Sequence, residues 1–193
     1  MILKGCIKRS SDWVAAFGQA DAALSHLNNQ DVKEGDIFLF FGWFRQTEFD
    51  GNGNLKIVKN APDLHVIYGY LQVGKVLSKW KDIKEISWHH HADKRREHDK
   101  LNAIYIAASK LLDTNLDGYG TLKYSKELVL TKEGDEYRTH WILPKCLEHK
   151  KITYHSEKNY KDGYFKSACR GQEFVIECDE ETKKWIMNII CMD

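Results

Sequence analysis

Gly35-Asp36-Ile37-Phe38-Leu39-Phe40-Phe41-Gly42-Trp43-Phe44 is the stretch on which the fold turns. A Gly-Asp turn opens into an almost unbroken apolar run, β-branched and aromatic, of the length of a buried strand. Downstream, Asp50-Gly51-Asn52-Gly53-Asn54 carries a hairpin signal, and Leu55 to Val58 supplies the return strand. After the turn Asn60-Ala61-Pro62-Asp63, Leu64 to Leu77 reads as one long strand or two short ones. Gly69 and Gly74 within it mark bulges or close backbone approach, the device by which a sheet curls. Ala103 to Ala107, Leu128 to Thr131, Tyr137 to Leu143 and Glu173 to Cys178 are further strand candidates.

Helical periodicity is confined mainly to the ends. Trp13, Phe17, Ala20, Leu24 and Leu27 recur at spacings of three and four, one helical stripe, with Ser10, Ser11 and Asp12 as its N-cap. Gly18 is a point where that stripe can divide into a turn and a helix. Thr182 to Cys191 reads as a closing helix with Trp185, Ile186, Ile189 and Ile190 on one face, and the charged Trp80 to Lys100 as a loop with a helical turn. The expected fold is α+β, a mostly antiparallel curved sheet with flanking N- and C-terminal helices. It forms a single domain over residues 1–193, with a helical segment at 1–30, a β-rich core at 33–178 and a helix at 180–193.

Composition bounds the function. Lys and Arg number 29 against 28 Asp and Glu, so a formal charge of +1 leaves no global field to gather nucleic acid. No apolar run reaches the ~18 residues of a membrane span, and the first residues lack a secretory core, so the expectation is a cytoplasmic protein without membrane contact. The five cysteines are odd in number, widely spaced and free of CxxC, which predicts reduced, mostly buried thiols. Walker A, GxGxxG, GxSxG and Cys-His nucleophile patterns are absent, and Ala61 stands where an EF-hand needs its last ligand.

Nine histidines and 12% aromatic residues hold the candidate chemistry. Trp43 and Arg45, at the exit of the apolar strand, suit a planar ring or a phosphate. Asp63 and His65, two apart after a proline turn, can orient an imidazole as general base; otherwise Asp63 caps the turn and His65 bonds a neighbouring carbonyl. For His89 and His91 the expectation is a solvated His-rich loop and no cofactor; the alternative is that, sharing a face on extended backbone, they hold a divalent transition metal with a third ligand. Adjacent Tyr154 and His155 face opposite ways, one packed and one available. The Gln172 amide can read a base edge, as both donor and acceptor.

Several stretches taken together carry a resemblance. Gly35-Asp36 feeding a core strand, with His65-Val66-Ile67-Tyr68-Gly69 and Val73-Gly74-Lys75-Val76, resembles the PUA-like β-barrel superfamily of ASCH, EVE and YTH domains. A fuller set runs through most of the chain in order. It comprises Ala16-Phe17-Gly18-Gln19, Ser25-His26-Leu27, Gly42-Trp43-Phe44-Arg45, Ala61-Pro62-Asp63-Leu64-His65-Val66, Gly69-Tyr70-Leu71-Gln72-Val73-Gly74, His89-His90-His91, Tyr154-His155 and Gly171-Gln172-Glu173-Phe174-Val175. This set is similar to the bacterial and phage family of nucleotide modification-associated domains, type 3. Two departures stand out: the family usually carries an extra N-terminal segment with a Gly-Phe-Asp-like turn, and His90 stands where it has proline.

The resemblance implies a role with modified bases or nucleotides in nucleic-acid modification or phage–bacterium conflict, but no reaction. By analogy with PUA-like readers, Trp43, Tyr70 and Trp88 become wall candidates. The expectation is that a modified base or nucleotide, free or within DNA or RNA, binds a pocket of Trp43, Arg45, His65, Tyr70, Trp88, His89, Tyr154, His155 and Gln172. One alternative is a hydrolase or transferase using Asp63, His65, His91 and His155. Another is a homodimeric assembly module.

Overall fold

The computed structural model describes residue 11, residues 13–169 and residues 171–191. In chain order the elements are β1 (Ala16–Ala20), α1 (Asp21–Asn29), β2 (Ile37–Phe44), β3 (Thr47–Phe49), β4 (Leu55–Ile57), β5 (Leu64–Leu77) and α2 (Trp80–Ile83). Then follow β6 (Asn102–Ala107), β7 (Tyr119–Thr121), β8 (His140–Trp141), β9 (Tyr160–Lys161), β10 (Tyr164–Lys166) and α3 (Glu180–Ile190). The fold is α+β, with a curved antiparallel sheet and a few helices, one of them C-terminal. The main sheet has the order β1-β6-β5-β2, with β7 beside β5; β8-β10-β9 and β3-β4 form smaller sheets. The chain clusters into two compact units, one from the residues up to Phe38 together with Tyr70–Gly120, the other from Leu39–Gly69 and the residues from Thr121 onward.

In the first unit, β1 pairs antiparallel with β6 over all five residues, Phe17 opposite Tyr105. The N-terminal stripe is thus not one helix: its first part is strand, and only Asp21 onward is helical. Two local causes are visible. The rings of His89 and His91 lie where a Gly18 Cβ would be, at 2.5 Å, so this strand fits only with glycine there. Asp21, at φ 53, turns the backbone sharply from strand to helix, a conformation that Asp tolerates better than most residues. The proposed cap residues Ser10 and Asp12 lie outside the described residues, as does Cys6.

The Gly-Asp turn is clasped to β5: Gly35 N–H donates to the Val73 carbonyl and Val73 N–H to the Asp36 carbonyl, both at 2.8 Å. At Gly74 the pairing of β5 with β6 shifts register. A side chain there would meet the Ala108 Cα at 2.6 Å, so the bulge depends on glycine. Buried Leu77, Ile83 and Ile104 form a core cluster, and Phe17, Phe38 and Tyr105 pack ring against ring at 5.1–6.4 Å. Gln72, buried, ties three loops: Oε1 accepts from Leu112 N–H at 2.6 Å, its backbone N–H donates to Gly118 O at 2.6 Å, and Nε2 donates to Gly35 O at 3.4 Å.

In the second unit, Trp141 and Phe165 pair across β8 and β10 and are both buried. Helix α3 is capped by Asp179, which accepts from Thr182 N–H at 2.9 Å, and it buries Ile186, Ile189 and Ile190. The β3-β4 hairpin is held by Asp50, whose Oδ1 accepts from Asn52 and Asn54 N–H at 2.8 Å; these bonds hold its pKa down.

The strands expected at Leu128 to Thr131 and Tyr137 to Leu143 shrink to β8 and the single bridges Val66–Val129 and Thr131–Trp141. The buried Thr131 hydroxyl takes over ladder bonds, accepting from His65 N–H at 2.8 Å and donating to Arg138 O at 2.9 Å. Glu173 to Cys178 is no strand either: Val175 donates to the Thr153 hydroxyl and accepts from the Thr153 amide, with no ladder beyond that exchange among the described residues. The thiols are not mostly buried, since Cys169, Cys178 and Cys191 are exposed near element ends or in ladder-free chain.

Candidate functional site

Trp43, next to last in β2, leaves its side chain 54% exposed. Two guanidinium carbons lie over its ring, Arg45 at 4.8 Å and Arg138 at 4.4 Å. Exposed contacts of this kind contribute about 0.5–1 kcal/mol each. Asp63 secures Arg45 in a two-pronged pair, Nε to Oδ1 at 2.6 Å and Nη2 to Oδ2 at 3.3 Å. The Arg45 bond, helped by the Trp43 indole and Arg138, holds the Asp63 carboxyl below its ordinary pKa. An open hollow of about 480 Å³ adjoins this pair, bordered by Arg45, Lys59, Asn60, Pro62, Asp63 and Glu136. The arrangement presents a flat cationic face, and guanidinium planes stack on bases as readily as aromatic rings do.

His65, 5% exposed, starts the same unit's aromatic cluster. Its Nδ1 accepts from the Trp141 indole at 3.0 Å, so the neutral ring carries its proton on Nε2. Burial, reinforced by the Arg138 charge, lowers its pKa to about 4. Phe41 packs on His65 and Trp141 at 5.5 and 5.1 Å, and Phe174 on Phe41 at 5.9 Å. His155 closes the cluster against Phe174 and Phe165 at 4.7 and 4.8 Å. Its Nδ1–H donates to Thr153 O at 3.0 Å, which leaves Nε2 as an acceptor, buried and without a hydrogen-bond partner among the described residues. Asp63 and His65 therefore make separate contacts, the carboxylate with Arg45 and the imidazole with Trp141. Tyr154 is exposed at φ 65, and Gln172 is exposed as well.

The remaining candidates belong to the first unit. His89 Nδ1 accepts from His91 N–H at 3.1 Å, and His91 Nδ1–H donates to Asn102 Oδ1 at 2.5 Å, with Asn102 Nδ2 returning a bond to His91 O at 3.0 Å. Burial lowers both pKa values, that of His89 to about 4. Among the described residues, no group of three or more His, Cys, Asp or Glu is placed to hold a metal ion. Trp88 packs beside Trp13 at 5.9 Å, and the buried Tyr70 donates its hydroxyl to Asp117 O at 3.0 Å. In the same unit Arg95 pairs with Asp93 and Arg96 with Asp99.

The family model of nucleotide modification associated domain 3 matches residues 4–177. The chain belongs to that family. No curated protein and no solved structure matches it. Within this nucleotide modification associated domain, the second unit gathers Trp43, Arg45 and Asp63 in one contact set and His65 with His155 in one aromatic cluster. Tyr70, Trp88, His89 and His91 lie in the other unit. Arg138 is the residue that sequence reasoning missed. It stands between a turn and a two-residue strand with no motif around it, and no local signal marks it. Among the described residues no helix is long and apolar enough to cross a membrane.

Proposed function

We propose that this domain binds a base or nucleotide, modified in keeping with its family's association, free or within a DNA or RNA strand, at the Trp43–Arg45–Arg138 face. The carrying observation is the solvent-exposed Trp43 ring overlaid by two guanidiniums, one of them fixed by Asp63. A protein that needed Trp43 only for packing would bury it. Base stacking on such a platform contributes about 1–3 kcal/mol. Calorimetry against a panel of common and base-modified nucleosides and nucleotides tests the proposal. Trp43→Ala is expected to lower affinity about tenfold or more while circular dichroism is unchanged. Equal affinity in parent and variant rejects it.

One observation favours a second reading, a hydrolase or transferase acting on the same ligand class. The buried, unpartnered Nε2 of His155 is a free acceptor on an imidazole that burial keeps neutral, the state a general base requires. His155→Ala would then lower turnover of a modified nucleotide about a hundredfold or more. Unchanged turnover excludes this role for His155.

A further inference from the structure

We infer that Arg138 and Ser167 form an anion subsite beside Trp43, so that the ligand taken there is a phosphate-bearing nucleotide in preference to a free base or nucleoside. This rests on the proposed base-binding face and deepens it. The two guanidiniums over Trp43 are not equivalent. Arg45 is neutralised by its two-pronged bond to Asp63. Among the described residues Arg138 has no ion pair, its Nη2 reaches only the Cys169 carbonyl, at 3.4 Å, and its Nε is buried without a partner.

A second orphan sits on the same pair of segments. Ser167 is 5% exposed, and among the described residues its hydroxyl has no hydrogen-bond partner. Its amide bonds the carbonyl of Thr139, the residue after Arg138, at 2.8 Å, while Arg138 touches the carbonyl two residues beyond it. The Thr131 hydroxyl pins the Arg138 carbonyl at 2.9 Å, so the backbone beneath the guanidinium is anchored. The charges that line the hollow balance, Arg45 and Lys59 against Asp63 and Glu136; Arg138 lies outside that lining, over the Trp43 ring at 4.4 Å. Its field reaches both Asp63 and His65, whose pKa values it helps to lower. Phosphate oxygens accept strong charge-assisted hydrogen bonds from guanidinium N–H groups, and bonds from hydroxyls to them are charge-assisted as well.

Calorimetry with a nucleoside and its monophosphate separates the subsite from the base site. The parent protein is expected to bind the monophosphate about tenfold or more tightly than the nucleoside. Arg138→Gln removes that difference, whatever it does to nucleoside affinity, and an unchanged circular dichroism spectrum reports a folded protein. Ser167→Ala narrows the difference, and Arg138→Lys, which retains the charge, keeps part of it. Trp43→Ala weakens both ligands and preserves their ratio. Equal affinity of the parent for the two ligands, or an unchanged ratio in Arg138→Gln, overturns the subsite and leaves the base site standing. Absence of binding by any nucleoside or nucleotide overturns both.

Discussion

At the scale of single residues, the second unit puts its histidines to structural use before any chemical one. His65 and Trp141 are joined by a bond in which the imidazole must be neutral, because Nδ1 accepts. The folded pKa of about 4 lies below the ordinary 6.5, as does that of His89. Between those values the unfolded chain binds more protons, so unfolding free energy rises with pH across this window. The stabilisation is complete above about pH 6.5 and is lost as pH falls towards 4. With about 1.4 kcal/mol per unit, protonating the buried His65 costs a few kcal/mol across this window. Urea midpoints measured from pH 7 down to 4.5 should fall steeply. His65→Asn keeps an acceptor near Trp141 without titrating, and its curve should be flatter. Parallel curves for parent and variant would refute the assignment. Trp43, Arg45, Asp63, His65 and His155 were legible as candidates because their residue types and positions beside turns are local facts. Their partners were not, since Trp141, Phe174 and Arg138 come from remote parts of the chain.

At the scale of elements, strand β2 and the long β5 follow from apolar runs bounded by turns, and α3 from its one-sided apolar face. The N-terminal stripe shows where periodicity misleads. Spacings of three and four occur across β1 and α1, yet β1 is strand because β6 offers it a full ladder. Gly18 is the position on which that pairing depends. Gly18→Ala would drive a methyl into the rings of His89 and His91, both buried and held through their Nδ1 atoms. Overpacking of this kind costs about 1–3 kcal/mol. A urea midpoint unchanged by the substitution would show that the rings can move aside. The β3-β4 hairpin shows the opposite, a feature in which the local signal was sufficient. Its ladder sets Glu48 against Lys56, an ion pair at 3.1 Å, and leaves Phe49, Leu55 and Ile57 exposed.

At the scale of the whole molecule, charge balance decides what kind of nucleic-acid contact is open. With 29 basic and 28 acidic residues, affinity must come from a local site and not from a field. A random DNA duplex is therefore expected to bind at physiological salt with a Kd weaker than about 10⁻⁴ M, at the edge of the non-specific range. Fluorescence anisotropy reads this directly, and micromolar binding would contradict it. A saturating nucleotide should by contrast raise the unfolding free energy, by about 2.7 kcal/mol at a hundred times its Kd. A thermal shift measures that gain, and a flat response would count against the binding site.

The sequence by itself determined the α+β class, the run of the principal strands, the closing helix and the family, because turn chemistry, alternation and ordered motifs depend on neighbours along the chain. Only the tertiary structure decided that Gly18 must admit two histidine rings, that Thr131 replaces a strand ladder, and that Arg138 lies over Trp43 with its Nε unmatched. Each of these is a contact between segments far apart in the chain, settled by packing and hydrogen-bond satisfaction, to which no local pattern is sensitive.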